Sequence, residues 1–320
     1  MAVDMKILGP ISMTIDGMEI NLGDRKQRIL LSVLALENRR VEKDRLAQLL
    51  WEEDRLPQDP DGQLHGYFSR IRKAIEDVSP GSGRMLKTWR GVGYGLELDA
   101  ASVDYHRFRR FAAQAKATGE RDPETAARLG SAALSEWGSP AGVRGGTPLD
   151  AVESQLERIV EGLRQEYQSA LMAYLHAELA CGRHEQLLPE LARLAGYDEY
   201  GAENQELARI RMLAIYRAGN KSEALDIYQR IYDVLDEKFS SKPDAETKKL
   251  KKQILTDDPA LQLREAEHVT PDEPADTAAE APSTTSEKSS GSSFISNNVY
   301  GDKNRFYQAE TMTFHERDET

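Results

Sequence analysis

Apolar positions change their period twice along the first hundred residues. Short β-rich runs at 5–8, 11–15 and 18–22 are parted by Gly9-Pro10 and by Asp16-Gly17, the latter a strong hairpin signal. A helical period follows, with Ile29, Leu30, Val33, Leu34 and Leu36 on one face. Asp24 and Gln27 have the spacing of a capping box ahead of it, and Asn38 predicts its end. Leu46, Leu49, Leu50 and Trp51 predict a second, short helix. A stretch with Pro57, Pro60 and Asp61 then leads to a third helix, with Asp59 as N-cap and Pro60 as first helical residue, running to about Ile75. Leu64, Phe68, Ile71 and Ile75 recur at i, i+4, i+7 and i+11 and predict its core face. After the turn at 79–83, residues 84–98 read as a β-hairpin.

From about 103 to 263 the pattern is helical throughout, rich in Ala, Leu, Glu and Arg. The stretch 180–194 aligns with 217–231 at an offset of 37, Gly182 matching Gly219, and a fainter copy spans 117–134 around Gly119. A period in the thirties, built as helix, small-residue turn and helix, marks a tetratricopeptide-like solenoid; an ordinary bundle with Gly at helix ends is the alternative. Residues 265–293 hold no aromatic residue and abundant Pro, Ala, Ser, Thr and Glu, which predicts a disordered linker. Aromatic and β-branched residues return at 294–314.

Charge changes the picture only once it is resolved by segment. The 320 residues carry a net −12, which argues against a non-specific polyanion binder. Residues 264–320 hold −7 of it, 101–263 hold −4, and 1–100 only −1. Between 63 and 94, six basic groups meet two acidic ones, a local +4. One cysteine, Cys181, excludes a disulfide framework and a cysteine-built zinc site. The chain shows neither a run of roughly 18 apolar residues nor an N-terminal apolar segment, so a cytoplasmic protein without membrane contact is expected.

The candidate chemistry lies on the third helix and the hairpin behind it. Opposite the core face stand Gln63, His65, Tyr67, Ser69, Arg70, Arg72 and Lys73, and the hairpin adds Lys87 and Arg90. Basic side chains neutralise and position phosphates, and Gln63 and His65 in the helix's first turns are nearest to base edges. A solvated basic face on a helix packed elsewhere is the blander reading. Residues 5–98 resemble the OmpR-type winged-helix effector domain through LGP (8–10), the helix at 28–36, DRLAQLLW (44–51), SRIRKAI (69–75) and TWRGVGYGLEL (88–98). Residues 103–260 resemble the bacterial transcriptional activator domain through DYHRF (104–108), LSEWGSPA (134–141), LACGRHEQLLPELARL (179–194) and LAIYRAGNKSEALDIYQRI (213–231).

In this order the two domains resemble the Streptomyces antibiotic regulatory protein family. The resemblance implies an activator that sits as a homodimer on promoter direct repeats of double-stranded DNA and contacts RNA polymerase holoenzyme. Two departures stand out. Gly62 and Gly66 occupy positions where the family's recognition helix usually has Asn and Val, which implies a different operator preference. Residues 196–207 also replace a short His-Pro-Leu-Arg-Glu turn.

The expected architecture is an α+β winged helix-turn-helix (1–100), an all-α tetratricopeptide-like helical domain (101–264), a disordered linker (265–293) and a tail (294–320). No catalytic constellation, cofactor or metal site is expected. GVGYG (91–95) lies in a hairpin with no helix after it, which argues against a phosphate loop. The six histidines lack metal-ligand spacing, and Cys181 reads as packing. In the tail, Val299, Gly301 and Asn304 fit the V-x-G-x-x-N of amyloid-signalling motifs, so a homotypic partner through 294–314 competes with a strand or helix docked on the helical domain. A signalling adaptor, assembled through solenoid and tail, is the alternative to an activator.

Overall fold

The computed structural model describes residues 1–119, 121–138, 148–150, 156–196 and 204–262. Val299, Gly301, Asn304, the expected linker and the stretch 197–203 lie outside the described residues. Met1–Glu265 is one compact unit.

Its first element is a small antiparallel sheet of β1 (Val3–Lys6), β2 (Ser12–Ile15) and β3 (Met18–Glu19), in that order. Met5, Met13 and Ile15 are buried from it. The Asp16-Gly17 turn has φ of 49° and 81°, the double left-handed geometry of a type I′ hairpin turn. Helix α1 (Arg25–Glu37) begins with the expected capping box: the Gln27 amide donates to Asp24 Oδ1 at 3.0 Å, and the Asp24 amide donates to Gln27 Oε1 at 3.3 Å. Asn38 ends it in the left-handed conformation.

Helix α2 (Lys43–Leu50) is one residue shorter than its apolar spacing suggests, because Trp51 is extended and forms the C-cap. Helix α3 (Pro60–Val78) starts as predicted, Asp59 Oδ1 accepting from the Gly62 amide at 2.9 Å, and runs a turn beyond Ile75. Leu64, Phe68, Ile71 and Ile75 are all fully buried. The hairpin consists of β5 (Leu86–Trp89) and β6 (Gly93–Leu96). A strand that the sequence did not signal, β4 (Val41–Glu42), pairs with β6 and makes a second sheet of order β4-β6-β5. Gly93 permits that pairing, since a Cβ there would lie 2.0 Å from the Val41 carbonyl oxygen.

The remaining elements are helical. They are α4 (Asp104–Thr118), α5 (Pro123–Ser135), α6 (Glu157–Ala180), α7 (His184–Leu194), α8 (Gln205–Arg217), α9 (Lys221–Phe239) and α10 (Ala245–Leu255). The offset of 37 is a repeat of form. The α6–α7 and α8–α9 turns each carry a glycine at positive φ, Gly182 at 80° and Gly219 at 85°. At the fainter copy Gly119 is right-handed, as any residue could be, so only the position is shared.

Position 100 does not divide the hydrophobic core. A continuous cluster runs from Met5 through α1 and α3 to Trp137, Tyr167, Leu191 and Ala214. Met5 bridges to Val103, and the Leu149 amide donates to the Ile7 carbonyl at 2.9 Å. The buried Asp104 carboxylate accepts from the Ile7, Leu8 and Tyr105 amides at 2.7–3.1 Å. Removal from water disfavours its charged form more than those amides favour it, and its pKa is pushed up to about 6. Beside it Arg107 donates to Glu136 at 2.8–3.0 Å, to Asp4 at 3.0 Å and to the Ala101 carbonyl at 3.1 Å. Strand β1, helix α4 and the end of α5 are thereby tied together.

Candidate nucleic-acid interface

The sequence builds α3 as a helix with one apolar stripe, and that stripe fixes what the other side presents. Anchoring Leu64, Phe68, Ile71 and Ile75 leaves Gln63, His65, Ser69, Arg70 and Lys73 exposed. Phe68 stacks on Tyr94 of β6 with ring centroids 3.8 Å apart, which sets the hairpin against the helix. The hairpin is therefore a wing beside α3, with Arg90 exposed at its turn.

The nine sequence-predicted residues fall into three groups. Gln63, Ser69, Arg70 and Lys73 are exposed on the outer arc of α3, and Arg70 also lies 5.0 Å over the Tyr67 ring. Tyr67 turns sideways: it is half-buried and stacks on Trp51 at 6.5 Å, stitching α3 to the end of α2. On the wing-facing side, Arg72 Nη2 donates to the Leu86 carbonyl at 2.8 Å and to Thr88 Oγ1 at 2.9 Å. Arg72 thus braces helix to wing. His65 and Arg90 line one cleft between α3 and the hairpin, together with Lys43, Asp61, Thr88 and Trp89. Lys87 pairs with Glu97 at 3.2 Å across the hairpin. Gly66 has open space around its Cβ position.

Sequence reasoning missed Lys43, Asp61 and Trp89. Lys43 at the start of α2 pairs with Asp61 in the first turn of α3 and so fixes the entry of that helix. Its own position follows from β4, since the Lys43 amide donates to the Val92 carbonyl of the wing at 3.0 Å. Trp89, 37% exposed, lies near Arg40, whose guanidinium is 6.0 Å from the ring. No local pattern reports these neighbours, because each depends on a two-residue strand pairing across fifty positions.

Glu76 closes the far end of the helix. It accepts from the Gly81 and Gly83 amides, and those bonds hold its carboxylate below the usual range. Among the described residues, no group of three or more His, Cys, Asp or Glu side chains could hold a metal ion. Burial pushes the Cys181 thiol up, away from thiolate chemistry. No described helix is long and apolar enough to cross a membrane.

Comparison with known proteins bears on both halves. Residues 17–96 match the family "Transcriptional regulatory protein, C terminal", and residues 103–255 match "Bacterial transcriptional activator domain". The transcriptional regulatory protein EmbR of Mycobacterium tuberculosis is 31% identical over 265 residues, covering 80% of this chain and 64% of EmbR. This chain thus spans a little under two thirds of that relative. The transcriptional regulator RedD of Streptomyces coelicolor is 29% identical, covering 86% of this chain and 77% of RedD. The regulatory protein DnrI of Streptomyces peucetius is 28% identical, covering 81% of this chain and 94% of DnrI. The structure of Mycobacterium tuberculosis EmbR in complex with a low affinity phosphopeptide superposes with a TM-score of 0.71 at 30% identity, over 80% of this chain and 66% of that one. With both domains in this order and homology to EmbR, RedD and DnrI, the chain belongs to the Streptomyces antibiotic regulatory protein family of transcriptional regulators.

Proposed function

We propose that this chain is a sequence-specific DNA-binding activator that sits as a homodimer on promoter direct repeats and engages RNA polymerase holoenzyme. One observation carries the reading: the exposed arc of Gln63, Ser69, Arg70 and Lys73 on a helix braced to a wing with Arg90 at its tip. A winged helix of this design lays its third helix in the major groove, where first-turn side chains meet base edges and basic groups hold phosphate. Arg90 on the wing then reaches the adjacent backbone. The acidic remainder of the chain weakens non-specific attraction to DNA, which leaves selectivity to this small face. Such a protein resides in the cytoplasm, on the nucleoid.

The test is a titration of the full chain with promoter DNA at several salt concentrations. Sequence-dependent binding with a salt-sensitive affinity is expected. Arg70→Ala and Lys73→Ala should each weaken binding and lower the salt slope by about 0.9 per lost phosphate contact, with thermal stability unchanged. Undiminished binding by the double variant would falsify the placement of the DNA face. Footprint length then reports whether one copy or two occupy the operator.

A further inference from the structure

Helices α7, α8 and α9 enclose a groove that the DNA-binding reading does not use. Two cavities meet end to end over α8, sharing Ala192 and Arg211 in their walls. Leu207 and Ile215 belong to the floor, Leu188 and Ala192 to the α7 side, and Ile227 and Ile231 to the α9 side. Along α9 the groove extends from Asn220 to Val234, about 21 Å at 1.5 Å per residue. Extended chain of about six residues spans that length.

Arg211 stands at the middle of this apolar channel. Burial disfavours its charge, and Arg230 nearby adds repulsion, so its pKa is lowered. Other partly buried arginines of the helical domain are satisfied. Arg209 pairs with Asp244 and Glu246, Arg183 with Glu124 and Glu178, and Arg217 donates to the Leu179 and Leu261 carbonyls. Arg211 makes no hydrogen bond or ion pair with any described residue; Glu223, exposed at one end, offers only distant attraction. A half-buried guanidinium without an anion costs stability. Among the described residues, none gives a reason in folding to place one there.

We propose that this groove binds an extended peptide segment of a partner protein, with an acidic side chain seated on Arg211 and Arg230 and apolar residues on either side. Charge complementarity selects the acid, and the elongated apolar walls select a peptide over a compact ligand. Glu223 at one end and Asp233 at the other repel further acidic residues, so a single central carboxylate is favoured over a polyacidic run. The proposal does not rest on the DNA face.

The test is an array of hexapeptides probed with the full chain. Each carries Asp, Glu, Asn, Gln or Lys at the third position, flanked by Ala, Leu or Ile. Central Asp or Glu should exceed the matched Asn or Gln peptides by about tenfold or more, the range of a desolvated charge pair. Arg211→Met should abolish that preference while leaving the melting temperature equal or higher, because it removes an unpaired buried charge and keeps the apolar stem. Arg211→Lys should retain part of the preference. No acidic preference in the wild type overturns the proposal, as does a clear loss of melting temperature in Arg211→Met, which would make the arginine structural. Displacement of bound peptide by millimolar acetate or inorganic phosphate also overturns it, since a bare anion site would then suffice.

Discussion

Arg107 and Arg70 are the same residue type on amphipathic helices of similar length, and the fold uses them in opposite ways. Arg107 on α4 is 19% exposed, and Glu136, Asp4 and the Ala101 carbonyl share its guanidinium. Arg70 on α3 is exposed and rests only on the face of Tyr67 among the described contacts. One arginine joins two domains into one core; the other keeps its donors available for an anion from outside. Arg72 lies between these extremes, with one nitrogen bonded to the wing and the rest of its fork unengaged among the described residues. What separates the three is the company that tertiary structure brings, since the residue type and the helical setting are shared.

The largest expected effect comes from breaking the junction. Arg107→Ala leaves Glu136 and Asp4 facing each other without their cation, and should lower stability by roughly 2–3 kcal/mol, somewhat less than for a fully buried network. For a compact unit of this size that is a fall of about 4–6 °C in melting temperature. A scan showing no shift would mean that the junction is held by apolar packing alone.

Arg72→Ala comes next and should show both behaviours at once. Its loss of the helix-to-wing bonds should cost about 1 kcal/mol of stability. Its DNA affinity should fall by more than that of Arg70→Ala, because the wing loses its brace as well as a phosphate contact. Equal losses for the two variants would remove the bracing role.

The smallest effect is pH-dependent. The Asp104 pKa of about 6 in the folded chain lies above the ordinary carboxylate value, so protonation favours the folded state. Its contribution is full below about 4 and is lost as pH rises through 6. Between pH 7.5 and 5 the wild type should therefore gain on the order of 1 kcal/mol relative to Asp104→Asn, which does not titrate there. Parallel pH profiles of the two melting temperatures would show the site to be less buried than this.

Much of the candidate site was legible because it depends on local period. The stripe of Leu64, Phe68, Ile71 and Ile75 dictates which residues α3 exposes, and Asp59-Pro60 dictates where it starts. The Asp24–Gln27 cap and the Asp16-Gly17 turn were equally local, and both form as read. Tyr67 could not be placed this way, since its partner Trp51 lies on another element. β4 was invisible for a related reason: two residues are too few for a period, and only the β6 edge makes them a strand. Helix α1 shows a third case. Its pattern implied one apolar face, yet residues 29–35 are all buried, because the 148–150 turn packs on α1 and α4 reaches it through His106, on the side that a lone winged helix would leave wet. His106 marks that cover, its Nε2 2.9 Å from the Ala35 carbonyl oxygen.

By itself, then, the sequence determined most elements of the first domain, the caps of α1 and α3, the exposed arc of the third helix and the resemblance that its motifs carry. These are decided by neighbours a few residues apart, where side-chain spacing and backbone preference act directly. Tertiary structure alone decided that the two domains share one core, that Arg72 braces the wing, and that, among the described residues, Arg107 is bound, Arg70 open and Arg211 unpaired in a groove. Each of those depends on charges and surfaces brought together from distant parts of the chain, and the free energy of a charge is set by what surrounds it rather than by its place in the sequence.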